Sequence, residues 1–234
     1  MKKLLLFFFV LIQAVAAKSQ SNTYNAFGIG ANYSSVYPYA DLPIAKTTQA
    51  FNITAYYNYT PYVPMGLEFQ TGTLSGGSRT ADVHGREYTN KYKALIAHAD
   101  LYMGQIIDYD FGTLQHIFKD FYIGTGVGLI SNNMTDIVRV QPKTGYVFPG
   151  HDKSTNIITP IRVGYELRIN NTFGEQLVGI NIGYITNITW GEGLDGYGDP
   201  AKDFKNNSPD LYRQIVVGIK FNLGPVKSFY KNIN

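Results

Sequence analysis

The chain of 234 residues contains no cysteine. That excludes disulfides, thiolate metal sites and a lipid anchor on a cysteine thiol. Past its first residues it also lacks any apolar run near the ~20 residues that a membrane helix needs. An excess of one charge is missing too. Of the 20 lysines and arginines, Lys2, Lys3 and Lys18 fall in the leader, and the other 17 equal the 17 aspartates and glutamates. The basic isoelectric point therefore describes the leader, and no nucleic-acid-binding surface is expected.

What is present begins with an export signal. Lys2 and Lys3 precede the apolar run Leu4 to Val15, and small residues follow at Ala14-Val15-Ala16-Ala17. Cleavage is expected there or after Ser19. Residues 1–19 read as a signal peptide and 20–234 as one domain. The chain has 19 tyrosines and 24 glycines, and tyrosine, with an apolar ring and a polar tip, suits a membrane–water boundary.

The main signal is a period of two. From Ile161 to Ile169 every odd position is apolar (Ile161, Val163, Tyr165, Leu167, Ile169), and Arg162, Gly164, Glu166 and Arg168 alternate with them. That is a β-strand with one apolar and one polar face. The pattern predicts eight strands: Ala26–Tyr37, Ala50–Tyr59, Met65–Leu74, Tyr92–Ile107, Phe121–Ser131, Ile157–Ile169, Gln176–Trp190 and Leu211–Leu223. Each meets the ~9–11 residues that cross a bilayer at a tilt. Without membrane helices, a membrane chain must satisfy its backbone as a closed barrel. The expected fold is all-β, an eight-stranded antiparallel up-and-down transmembrane β-barrel.

Connections after the second, fourth and sixth strands (Thr60–Pro64, Asp108–Asp120, Asn170–Glu175) are expected to be short or moderate. The other four (Pro38–Gln49, Ser75–Lys91, Asn132–Asn156, Gly191–Asp210) are longer and polar. Such asymmetry predicts an outer-membrane barrel with periplasmic termini and extracellular long loops. Aromatic belts are expected at Tyr57, Tyr59, Tyr62, Tyr109, Phe111, Phe118, Phe121 and Phe221 near one rim. Tyr33, Tyr37, Tyr92, Trp190 and Tyr212 belong near the other.

The chain resembles the small eight-stranded outer-membrane barrels of the OmpA/OmpX-like class, and among them the barrel families of Bacteroidota. The matching features are the leader, Phe121-Tyr-Ile-Gly-Thr-Gly-Val-Gly-Leu129, Pro160-Ile-Arg-Val-Gly-Tyr165, Gly183-Tyr184 with Leu194-Asp-Gly-Tyr197, and Val217-Gly-Ile-Lys-Phe-Asn-Leu223. The resemblance implies that the last strand carries the assembly signal. Gly224–Asn234 follow it, where such barrels end on an aromatic residue. No wall-binding domain follows, so a tethering role does not transfer.

Chemistry is sparse. The inward face is expected to carry Glu68, His98, Asp100, Arg162, Glu166, Arg168 and Lys220. Eight strands enclose a space that side chains can fill, and charges there must pair. A salt-bridged plug is the expected state, a narrow ion path its rival. Lipid-modifying catalysis would need a His and a Ser two apart, and His98 is followed by Ala99 and Asp100. Glycines at 124, 126 and 128 alternate within a strand and do not form a phosphate loop. Glu192, Asp195, Asp199 and Asp203 lack the spacing of an EF-hand. No catalytic residue, metal or cofactor is expected. The expected partners are outer-membrane lipid and lipopolysaccharide, with a protein partner reached through the long loops or within a membrane assembly.

Overall fold

The computed structural model describes residues 23–107, 112–172, 174–191, 193–198 and 210–229. The expected leader, Tyr109, Phe111, Glu192, Asp199 and Asp203 lie outside them. Eight long strands form the molecule: β1 Thr23–Tyr39, β2 Thr48–Thr60, β3 Val63–Gly77, β4 Glu87–Tyr102, β5 Phe121–Ile137, β6 Lys153–Asn170, β7 Gln176–Trp190 and β8 Leu211–Ser228. Each pairs antiparallel with its neighbour in sequence. β1 then pairs with β8, from Thr23 opposite Ser228 to Tyr39 opposite Leu211, and the sheet closes. A two-residue strand, Ala45–Lys46, pairs antiparallel with Ser75 and Gly76 at one end of β3.

Alternation sets the two faces. Along β4, every even residue from Tyr88 to Tyr102 is buried. Odd residues such as Leu95 and Leu101 are exposed. The register aligns outward residues across strands: Phe69, Leu95, Leu129, Ile157 and Trp190 form one row. Leu67, Ala97 and Val127 form the next. This apolar surface continues around the barrel through Ile53, Ile29, Val217 and Ile182. A soluble monomer rarely exposes an apolar patch above about 600 Å².

Strands are longer than the alternation predicts. β6 and β8 have 18 residues each. At ~3.3 Å per residue and a ~40° tilt, such a strand rises about 45 Å, beyond an apolar band of about 25 Å. The surplus is polar, as in Asn132-Asn133-Met134-Thr135-Asp136 and Lys153-Ser154-Thr155-Asn156, so hydrophobic alternation does not mark it. Extra pairing shortens three of the expected loops at that end, to 40–47, 78–86 and 138–152, while 191–210 keeps its expected bounds.

Three expectations need correction. β4 ends at Tyr102, not Ile107; a 3-10 turn, Met103–Gln105, and a short helix α1, Thr113–Phe118, follow. That connection, 103–120, is longer than 40–47 or 78–86, so loop length segregates less cleanly than expected. The tail after Leu223 is partly strand. Gly224 takes φ +92°, a region open to glycine, and the ladder resumes past a bulge at Val226 opposite Asn25.

Candidate functional site: the barrel lumen

The interior has three levels. The middle level is an ionic cluster built from β3, β4 and β6. Arg162 Nε donates to Asp100 Oδ1 at 3.1 Å, and its Nη1 donates to Glu68 Oε2 at 3.2 Å. Glu68 is fully buried, and Arg162 and Asp100 are 3% exposed. Thr54 and Asn52 from β2 also donate to Glu68, as does Gln70. The His98 imidazole lies between the acids, Nδ1 3.4 Å from Asp100 and Nε2 3.9 Å from Glu68. Opposite, Lys220 of β8 donates to Asn58 Oδ1 at 2.9 Å and sits 4.6 Å from the centre of the Tyr56 ring.

Glycine makes this cluster fit. A Cβ on Gly66 would run into the His98 imidazole, and one on Gly124 into Asp100. On Gly218 it would meet the Asn32 amide. Alternating luminal glycines thus provide the volume that the charged side chains occupy.

The lower level lies toward the termini. Glu166 accepts from Tyr102 Oη at 3.0 Å and Gln176 Nε2 at 2.7 Å. Arg168 forms a 2.8 Å ion pair with Asp120, donates from Nη1 to the Pro61 carbonyl at 2.9 Å, and stacks 4.7 and 4.8 Å from the Tyr62 and Tyr102 rings. This plate of Arg168, Tyr62, Tyr102 and Tyr122 closes that end; Tyr102 and Tyr122 centroids are 5.1 Å apart. Phe229 packs beneath Tyr62 at 5.9 Å.

The upper level is apolar. Strand residues Val36, Leu74, Tyr88, Tyr92, Ile96, Ile130 and Ile158 join loop residues Leu42, Phe148, Leu194 and Tyr197 in one buried cluster. Tyr197 Oη donates to the Val138 carbonyl at 2.9 Å or the Glu87 carbonyl at 3.1 Å, and Phe148 meets its ring edge-on at 5.7 Å. The loops therefore fold into the mouth. Asp195, 1% exposed, accepts from Tyr197 N at 3.0 Å, while Asp210 Oδ2 accepts from Gly193 N and Leu194 N. Burial, then the Asp210 charge, pushes the Asp195 carboxyl well above the usual carboxylate range.

All seven side chains expected inside lie there: Glu68, Asp100 and Arg162 in one cluster with His98, Glu166 and Arg168 in the lower plate, Lys220 on the facing wall. The sequence reading missed Asp120, which joins from a connection, and the inserted loop residues. Of the expected belt, Tyr57, Tyr59, Phe121, Trp190 and Phe221 face outward and are exposed. Tyr62, Tyr92 and Tyr212 do not: they are buried inside. Parity could have caught Tyr92, which shares its face with His98 and Asp100. Tyr62 turns inward because Arg168 offers its guanidinium face.

No protein family profile and no curated protein matches this chain. Among solved structures it is similar to Neisserial surface protein A, with 11% identity, 85% of this chain and 97% of that chain covered, and a TM-score of 0.46. It is also similar to Ail, the attachment invasion locus protein of Yersinia pestis, solved with the heparin analogue sucrose octasulfate (12% identity, 84% and 97% covered, TM-score 0.43). The outer membrane protein OprG from Pseudomonas aeruginosa aligns with 12% identity, 88% and 100% coverage and a TM-score of 0.42. The chain's own strand pairing, closed by β1 against β8, establishes the barrel.

Proposed function

We propose that this chain is a non-enzymatic bacterial outer-membrane β-barrel with a structural or partner-interaction role, its lumen closed by its own side chains. The observation that carries the reading is the inversion of polarity. A closed barrel turns Phe69, Leu95, Leu129 and Ile157 outward and Glu68, Asp100 and Arg162 inward. A soluble ligand-binding barrel would have the reverse. Lipid, lipopolysaccharide included, is the solvent for that outer face.

A filled lumen assigns the interior to stability. The His98 ring nitrogens face two carboxylates rather than a serine, which favours structure over acyl-transfer catalysis. The termini belong in the periplasm, and the loops 78–86 and 138–152 outside, where a protein partner would meet them. The native chain has no cysteine, so single labels are clean. In intact cells, a membrane-impermeant maleimide should label Lys143→Cys, and Thr172→Cys only after lysis. Both variants should sediment with the outer membrane and need detergent for release. Recovery in the soluble fraction overturns the membrane reading, and reversed labelling overturns the orientation.

A further inference from the structure

The outer wall is not uniformly apolar. Lys91 and Lys93 on β4 and Lys153 at the start of β6 all point outward and are exposed. The register sets them in two adjacent rows: Thr73–Lys91–Asn133–Lys153 and Thr71–Lys93–Ser131–Thr155. These side chains line one open concavity on the wall. The next row toward the middle of the barrel is Phe69–Leu95–Leu129–Ile157, wholly apolar. The cationic cluster thus sits where the wall changes from lipid-facing to polar, at the loop-rich end.

Among the described residues the two rows contain no carboxylate, and Asp152, next to Lys153 in sequence, pairs with Arg139 at 2.6 Å. Nearby acids are already engaged: Glu87 with Lys46 at 2.5 Å and Arg79 at 3.2 Å, and Asp136 with Arg79 at 3.2 Å. Among the described residues no carboxylate forms an ion pair with Lys91, Lys93 or Lys153. Residues two apart on a strand are ~7 Å apart, and residues two strands apart ~10 Å. The three lysine side chains therefore leave the wall within about 12 Å of one another, with Thr71, Thr73, Ser131, Asn133 and Thr155 in the same two rows offering neutral hydrogen-bond donors between them. Like charges held this close repel unless an anion joins them.

We propose that Lys91, Lys93 and Lys153 bind the phosphate groups of an outer-leaflet lipid headgroup, whose acyl chains lie along the apolar row below. The inference rests on the outer-membrane reading above and names a specific lipid contact within it. The lysine stems can lie against the wall while the ammonium groups reach the phosphate layer. Charge complementarity selects an anion, and the adjoining apolar row selects one that carries hydrocarbon.

The test uses the whole barrel purified in mild detergent, with binding read by native mass spectrometry. Bisphosphorylated lipid A should be retained more strongly than its dephosphorylated form. Each Lys→Gln change should weaken retention of the phosphorylated lipid roughly fivefold, and the triple variant on the order of 100-fold. Lys→Arg at the same positions should retain the lipid. Lys227→Gln, on the outer wall near the opposite end, should change nothing. Equal retention of the two lipids, or an unchanged triple variant, overturns the proposal. Displacement of the lipid by millimolar inorganic phosphate overturns the assignment to a lipid headgroup. A membrane-embedded barrel indifferent to lipid phosphate removes this inference alone; a chain found soluble removes the reading beneath it.

Discussion

Arg162→Ala removes the cation that holds the middle of the lumen together. Its guanidinium contacts Asp100 at 3.1 Å and Glu68 at 3.2 Å, and both carboxylates are buried. Truncation leaves two desolvated acids facing each other without their bridge. Removing one partner of a buried pair costs about 3–5 kcal/mol. The expected loss lies in that range, reduced where water enters the space left by the side chain. Reversible urea unfolding in lipid vesicles measures it, with Trp190 as the reporter. That residue is the only tryptophan and lies on the outer wall at 65% exposure; in the proposed membrane setting it passes from lipid to water on unfolding. A companion variant separates charge from packing. Arg162→Met combined with Glu68→Gln and Asp100→Asn leaves no buried charge and should recover most of the loss. A stability for Arg162→Ala within about 0.5 kcal/mol of the parent, the range of neutral surface changes, would refute the buried cluster. A combined variant as unstable as Arg162→Ala would refute the electrostatic part.

Two further predictions concern space and pH. Gly66→Ala places a Cβ against the His98 ring and Thr54 and should cost about 1–3 kcal/mol in the same assay; a neutral result would mean that His98 is free to move. Asp195 should make the loop cap weaken as pH rises. Its folded pKa is raised by burial and by Asp210, with Asp41 adding to the effect and Arg86 opposing it. The protonated carboxyl therefore stabilises the cap fully below the ordinary value of ~3.9, and that contribution is lost as pH climbs through the raised value. Phe148 packs on Tyr197, so cleavage of 138–152 by a protease reports the cap. The parent-to-Asp195→Asn rate ratio should rise with pH, and a flat ratio would contradict the reading.

The barrel was legible because its signal is local. Arg162, Glu166 and Arg168 share one parity, and Ile161, Val163 and Tyr165 share the other, so one strand reports both faces. The partners of those charges were not legible. Which acids meet Arg162 depends on registers between β3, β4, β5 and β6, and sequence periodicity does not specify them. Asp120 and Tyr62 come from connections, where no periodicity exists. The cap was hidden for a different reason: Leu42, Phe148 and Leu194 lie in connections, where no period marks which apolar residue turns inward. Their burial depends on a mouth that exists only once the barrel has closed. Tyrosine was the misleading residue. Tyr92 and Tyr212, with ring centroids 5.3 Å apart, fill the lumen where composition alone suggested a lipid boundary.

The barrel is closed, with paired charges filling its interior and loops inserted at one mouth. Planar-bilayer recording of the refolded chain tests it most directly. The filled lumen should give no stable conductance above the bare bilayer at neutral pH. Reproducible single-channel steps from correctly folded protein would contradict it and make Glu68, Asp100, Arg162 and Lys220 the lining of an open path.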